Sequence, residues 1–358
     1  MPRCGLGTCL HKQKEGGGQT HPDQYAPTPP HLATLAASIV ETRATGSRVR
    51  GHDAAVSRRG WILFSAMSLI WGVPYLLISI AVESLEPATV VAGRTGIAAL
   101  LLLPLAIRDG SLKIALRFWP WILAFAVIEM AIPFVLLGHA EQTLPSGLTG
   151  LLVATVPLFG AIVAYLLGDH HALTRSRILG LFIGVAGVAL VVGAASGDGE
   201  IRLINVAEVL VVAVCYAVAP FITARKLTEV PGIGLAALAL GMVAVGYVIP
   251  AVLTQDQAPT DRSLAALVAL AILCTGIAFV IFFALIREVG PARATVITFV
   301  NPIVALALGV IVLDEHLSWG QLLGLPIVLV GCWLAAGQKP AEVEPAVELP
   351  VGDPTPAD

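Results

Sequence analysis

The stretch IWGVPYLLISIAVES, residues 70–84, places Pro74 between Trp71 and Tyr75 in the middle of an apolar run. Inside a soluble helix this is costly: proline removes a backbone hydrogen bond and crowds the carbonyl four residues earlier, a penalty of ~3 kcal/mol or more. Membrane helices carry proline more often. The stretch also has a second copy. GVPYLLISIAVES, 72–84, aligns with VAPFITARKLTEV, 218–230, at a shift of 146, pairing Pro74 with Pro220, Tyr75 with Phe221 and Glu83 with Glu229. A shift of 145 then pairs Ile132, Phe134 and Val135 with Ile277, Phe279 and Val280, and Pro157 with Pro302. A shift of 144 pairs Leu173, Leu179, Gly180 and Gly187 with Leu317, Leu323, Gly324 and Gly331. The order is kept while the shift drifts one residue at a time, as duplication followed by small deletions would leave it.

Composition agrees with a membrane chain. Of 358 residues 57% are hydrophobic and 13% charged, against about 25% charged in soluble domains. The mean hydropathy is +0.86. A net charge of −3 says nothing about nucleic acid, and no basic cluster follows one helix face, so no nucleic-acid partner is expected. Cys4 and Cys9 lie in a polar N-terminal stretch and Cys215, Cys274 and Cys332 in apolar runs, where lone cysteines behave as small hydrophobes, so no disulfide is expected. Residues 1–57 hold no sustained apolar run and read as a disordered tail, with the start of translation expected nearer Arg58. Residues 339–358, acidic and proline-rich, read the same way.

Between these tails lie ten apolar segments, near 60–81, 87–107, 119–139, 146–168, 177–194, 204–224, 232–253, 264–286, 291–312 and 319–337. Crossing a bilayer takes ~20 residues of helix, and only helices satisfy their own backbone in lipid here. The expected fold is an all-α membrane protein of ten transmembrane helices in two five-helix repeats, 58–195 and 203–338. Five is odd, so the repeats must lie inverted in the membrane. Arg48, Arg50, Arg58 and Arg59 precede the first span, placing the N-terminus in the cytoplasm by the positive-inside rule. The cytoplasmic loops then carry Arg108, Lys113, Arg117, Arg175, Arg177, Arg225, Lys226, Arg287 and Arg293, whereas the outer loops hold Arg202 and Arg262 alone.

The IWGVPY entry, AGRTGIAALLLL at 92–103 and the run REVGPARATVITFVNPIVALALGVIVLDEHLSWGQLLGLPIVLVG at 287–331 resemble the EamA-type (RhaT-like) family of the drug/metabolite transporter superfamily. The resemblance covers about 60–337. It implies two inverted five-helix repeats that carry small metabolites or drugs across the plasma membrane, and a matching arginine in the second span. Glu315, Leu317 and Gly324 fit the family's pattern after the ninth span. The first repeat departs from it, with Asp169, His170 and His171 around the position of that glutamate, which favours a helix-capping role.

Inverted repeats often bind substrate near the midplane, where broken helices turn backbone groups toward a cavity. Pro74 and Pro220, and Pro157 and Pro302, sit at corresponding positions and are candidates to open such a cavity, beside Trp71 and Tyr75. Two charges lie inside spans, Arg94 in GRTG and Glu129 in VIEMAIP. Counting ~1.5 Å per residue, they sit roughly 10 and 15 Å below the outer surface. A charge at the bilayer centre costs ~2.5–3.5 kcal/mol on insertion scales, so intramembrane ionisable groups mark function by default. Three readings stay open: a structural Arg94–Glu129 pair or an outward-snorkelling Arg94; a proton or cationic group at Glu129; an anionic substrate at Arg94. Glu129 aligns with Cys274, so neither charge has a counterpart in the second repeat.

Tyr216, with Phe134, Phe221 and Phe279, lines a pocket or simply packs. Asn301, a polar amide before Pro302, needs a partner. GLFIGVAG at 180–187 spaces small residues for close helix packing. His139 and Glu141 are expected at a solvated outer helix end. The sequence contains no GxxxxGK[ST] phosphate loop, no HExxH, no clustered metal ligands and no serine nucleophile elbow, so neither an enzyme nor a cofactor is expected. The reading is a secondary transporter of the bacterial inner membrane, both termini cytoplasmic. Its expected action is proton-driven export of a small metabolite or drug by alternating access. Uptake, or a lipid scramblase or scaffold, are the alternatives. The expected partners are a small-molecule substrate and the lipid bilayer, with a homodimer left open.

Overall fold

The computed structural model describes residues 56–169, 172–196, 202–290 and 294–336. The two tails, His170, His171 and most of the loop before Leu203 lie outside these. Among the described residues the regular structure is helical, and ten helices are long and apolar enough to cross a membrane: α1 Arg58–Ala81, α2 Pro87–Arg108, α3 Trp119–Ala140, α4 Ser146–Leu166, α5 Arg175–Gly193, α6 Leu203–Lys226, α7 Gly232–Thr254, α8 Asp261–Val289, α9 Val296–Leu313 and α10 Trp319–Ala336. The ninth opens on a 3₁₀ segment, Thr295–Phe299.

The repeats interlock. α2 packs along α7 and α5 along α10, each helix against its own counterpart, while α3 meets α6, α1 meets α8 and α4 meets α9. Sequence explains the α5–α10 seam. A Cβ at Gly331 would fall on the backbone of Gly184 at 2.5 Å, and one at Gly180 on the Gly331 carbonyl at 2.6 Å. Small residues let backbones approach this closely, as the spacing in GLFIGVAG predicts.

Five spans are interrupted near their centres. α1 breaks after Ile70 and resumes at Pro74. α4 breaks after Val153 and resumes at Val156, with Pro157 second. In α9 a regular helix starts at Asn301, again with proline second. Each proline occupies a first-turn position, where its missing N–H leaves nothing unsatisfied. α6 is different. It runs unbroken from Leu203 to Lys226 through an exposed Pro220, so the expected symmetry of Pro74 and Pro220 does not extend to a second break. Gly72 lets α1 come close to α9, for a Cβ there would meet the Val304 side chain and the Asn301 carbonyl. The residue aligned with it in α6 is Val218.

α3 and α8 are interrupted by π turns, Val127–Ala131 and Ile272–Ile277. They lie at the 145-residue shift that relates the repeats. In the first, Pro133 lacks the N–H that would bond the Glu129 carbonyl, so the ladder re-forms one residue wider, Ile132 N–H to Val127 O. In the second, the Thr275 hydroxyl captures the Leu270 carbonyl at 3.0 Å.

Glu315 joins the repeats at one end of the bundle. Asp314 adopts a left-handed conformation, φ 54°, which turns Glu315 over the start of α4. There its carboxylate accepts the Ser146 and Gly147 amides at 2.7 and 3.1 Å, capping a helix N-terminus that has no cap from its own chain neighbours. Glu315→Ala should destabilise the protein by ~2 kcal/mol, the scale of hydrogen bonds to a charged group, and Glu315→Gln by about half that. The unfolding midpoint in detergent measures both.

Candidate functional site

Arg94 lies on α2, buried, at the centre of the bundle. Its Nε donates to Thr275 Oγ1 at 2.8 Å, so the π turn of α8 holds the guanidinium by the same hydroxyl that shapes the turn. The plane of the group lies 3.8 Å over the Phe134 ring of α3, a cation–π contact. Among the described residues this is the hydrogen bond that the guanidinium makes. Tyr75, Tyr216, Cys274 and Glu141 are within electrostatic range of it. Gly150 leaves room for the Tyr75 ring, which a Cβ there would meet at 3.2 Å.

Glu129 sits in the π turn of α3, and among the described residues its side chain has neither a hydrogen bond nor an ion pair. It is partly accessible and faces Cys215 and Tyr216 of α6. Arg94 and Glu129 therefore do not form the structural pair that their depths allow, and Arg94 does not snorkel outward. They lie on α2 and α3 as separate ionisable groups, each within electrostatic range of Tyr216. Tyr247 of α7 donates to the Ala131 carbonyl at 2.9 Å, at the end of the π turn.

The other candidates divide. Tyr75, Arg94, Tyr216 and Glu129 come together. Trp71 packs instead on Phe282 of α8, ring centroids 4.7 Å apart, in a separate apolar cluster with Met67, Leu285 and Ile297. Phe279 stacks on Phe283. Asn301 finds the partners its polarity demands, donating to the Ser68 and Ile297 carbonyls at 3.1 and 2.9 Å. With Pro302 it fixes the crossing of α1 and α9 rather than lining the charged centre. Pro157 marks the break in α4, where the Cys332 thiol donates to the Ala154 carbonyl at 3.0 Å.

Glu141 departs from its expected place in solvent. His139 is exposed and pairs with Glu208 at 2.8 Å, but Glu141, two residues on, is only 4% exposed. Periodicity placed it at a helix end, and helix ends are usually wet; that α1 and the 314–318 loop cover this one is a tertiary fact. Thr275 and Tyr247 were likewise invisible, since a hydroxyl that anchors a charge from another helix leaves no local signal.

Ten interlocked apolar helices, two of them carrying π turns beside Arg94 and at Glu129, define a multi-pass membrane protein. The chain belongs to the EamA-like transporter family, which it matches over residues 58–193 and 204–337. It is 31% identical over 270 residues to the Escherichia coli K12 protein named "Uncharacterized inner membrane transporter YedA", covering 74% of this chain and 86% of that one. It is 25% identical to the Bacillus subtilis protein "Uncharacterized transporter YvbV", covering 80% and 95%. With the "Probable terminal-alkyne amino-acid exporter" of Streptantibioticus cattleyicolor it shares 26% identity, covering 73% and 87%. A crystal structure has the same fold at a TM-score of 0.56 and 19% identity, covering 77% of this chain and 96% of its own.

Proposed function

We propose that the protein is a proton-coupled exporter of a small dipolar metabolite, one that carries both a cationic and a carboxylate group, working by alternating access in the bacterial inner membrane with both termini cytoplasmic. The observation that carries this reading is the separation of Arg94 and Glu129, each within electrostatic range of Tyr216. Unpaired charges of opposite sign in an apolar bundle are each costly, and a dipolar solute satisfies both at once, its carboxylate on the guanidinium and its ammonium on Glu129. One carboxylate holds either a proton or an ammonium group, so exchange of the two follows from competition for Glu129. The name of the Streptantibioticus relative, an amino-acid exporter, fits the same solute class. Inner-membrane residence and a cytoplasmic N-terminus accord with the YedA relative's name and with the basic residues at the Arg58 end.

The test is comparison of extracellular metabolites from cells expressing this protein or an empty vector, followed by transport of the compound found in proteoliposomes. A compound enriched outside only with the protein supports export; depletion from the medium would reverse the direction. In the liposomes Arg94→Ala should raise the apparent KM for a dipolar solute at least tenfold, since a charge-assisted hydrogen bond contributes ~1.5–3 kcal/mol. Wild-type affinity in that variant would remove Arg94 from the site.

A further inference from the structure

Glu141 has a setting that the central site does not use. Both of its carboxyl oxygens are fully buried and neither makes a hydrogen bond of good geometry. The Ser146 hydroxyl nearby is equally buried and equally unpartnered. Glu141 lines a polar cavity of about 390 Å³ with Ser79, Val82, Glu83 and Gln142. Around it stand Tyr75 of α1 and Arg94 of α2, the Glu315 carboxylate of the loop before α10, and Glu83, which pairs with Arg262 at 3.3 Å. Glu315 does nothing to neutralise Glu141: its oxygens hold the amides of Ser146 and Gly147.

An ionised, unpartnered carboxylate in such a place costs several kcal/mol, and a second carboxylate beside it adds repulsion. A neutral carboxyl avoids both. We propose that Glu141 is a proton-binding site, distinct from Glu129, whose proton keeps the Glu141 end of the bundle closed. The proton arrives from water on that side, bonds to one carboxyl oxygen and cancels the charge. When it leaves, the buried carboxylate repels Glu315 from the start of α4 and draws water into the cavity, and the end opens. Because the proton binds the closed arrangement better than the open one, protonation favours closure by the same free energy. Burial, and then the Glu315 charge, hold this carboxyl well above its ordinary value of 4.5, against partial offset from the Ser79 amide and Arg94. The sign follows: closure is favoured below that raised value and is lost as pH rises through it. This inference rests on the alternating-access reading above and adds to it the site at which the outer side imposes its pH.

The test is hydrogen exchange of the full chain in lipid nanodiscs, read at the amides of residues 141–150, which include the two that Glu315 holds. Wild type, Glu141→Gln and Glu141→Asp are compared at about pH 5.5 and about pH 8.5, because two variants at one pH share intrinsic exchange rates. At the higher pH the wild type should exchange about tenfold faster than Glu141→Gln, whose side chain does not ionise. At the lower pH the two should coincide, and Glu141→Asp should follow the wild type. Within the wild type, protection corrected for intrinsic rate should fall with pH at 141–150 and stay constant at 226–232, at the other end. Equal exchange in wild type and Glu141→Gln at both pH values overturns the proposal. So does protection restored at high pH by sodium but not by choline, which would make the ligand a metal ion. The outcome is independent of Glu129: a flat exchange profile removes the gate and leaves the exporter reading standing, whereas pH-gradient transport that survives Glu129→Gln leaves the gate standing.

Discussion

Glu129→Gln should abolish transport driven by a pH gradient while the protein stays at wild-type abundance in the membrane. Among the described residues the side chain makes no hydrogen bond or ion pair that the substitution would break, and glutamine keeps its shape. The turn that carries it depends on Pro133 and on the Tyr247 hydroxyl at the Ala131 carbonyl, neither of which changes. Removing a carboxylate from the middle of a span also removes an insertion cost of ~2.5–3.5 kcal/mol, so folding has nothing to lose. What disappears is the carboxylate to which the proposed exchange of proton and ammonium is assigned. Proteoliposomes with an imposed gradient measure this directly. The variant should fail to concentrate solute against a gradient, and wild-type accumulation would remove Glu129 from the coupling step.

The second large effect concerns stability. Gly331→Ala should lower the unfolding midpoint sharply, by the 1–3 kcal/mol typical of overpacking or more. The atoms that an added methyl would meet, Gly184 N and Cα and Gly180 O, are backbone. No rotamer change relieves such a contact; α5 and α10 must move apart along their length. Gly246→Ala in α7 is the control, because a Cβ there meets nothing within 4 Å, and alanine gains roughly 0.5–1 kcal/mol over glycine in a helix interior. Thermal unfolding of both variants in one detergent separates crowding from helix propensity.

The architecture was legible because it rests on long-range regularities of the sequence. Span count follows from apolar length, the repeat from aligned prolines and glycines, and the α5–α10 seam from small residues at helical spacing. The centre was half legible. Arg94 and Glu129 announce themselves, since charge in an apolar run has no bland surroundings to hide in. Their separation does not, because it depends on Thr275 and Phe134 taking the guanidinium in a direction that α2 alone leaves undecided. Pro220 shows the converse failure. It matches Pro74 in alignment, yet α6 runs through it unbroken, with Val218 where α1 has Gly72. Glu141 failed for a third reason: burial at a helix end is set by what lies over it, here α1 and a loop some 170 residues away in the chain.

The π turn of α3 also has a mechanical meaning. A wider backbone ring is a softer one, so the helix flexes most easily where Glu129 sits. Beyond that pivot lies a rigid arm, Ile132–Ala140, about 14 Å long at 1.5 Å per residue, with Glu141 at its tip. Tilting the arm by about 10° moves the tip by about 2 Å, enough to stretch a hydrogen bond past its useful length. A bend at this turn is thereby magnified at the helix end that carries Glu141.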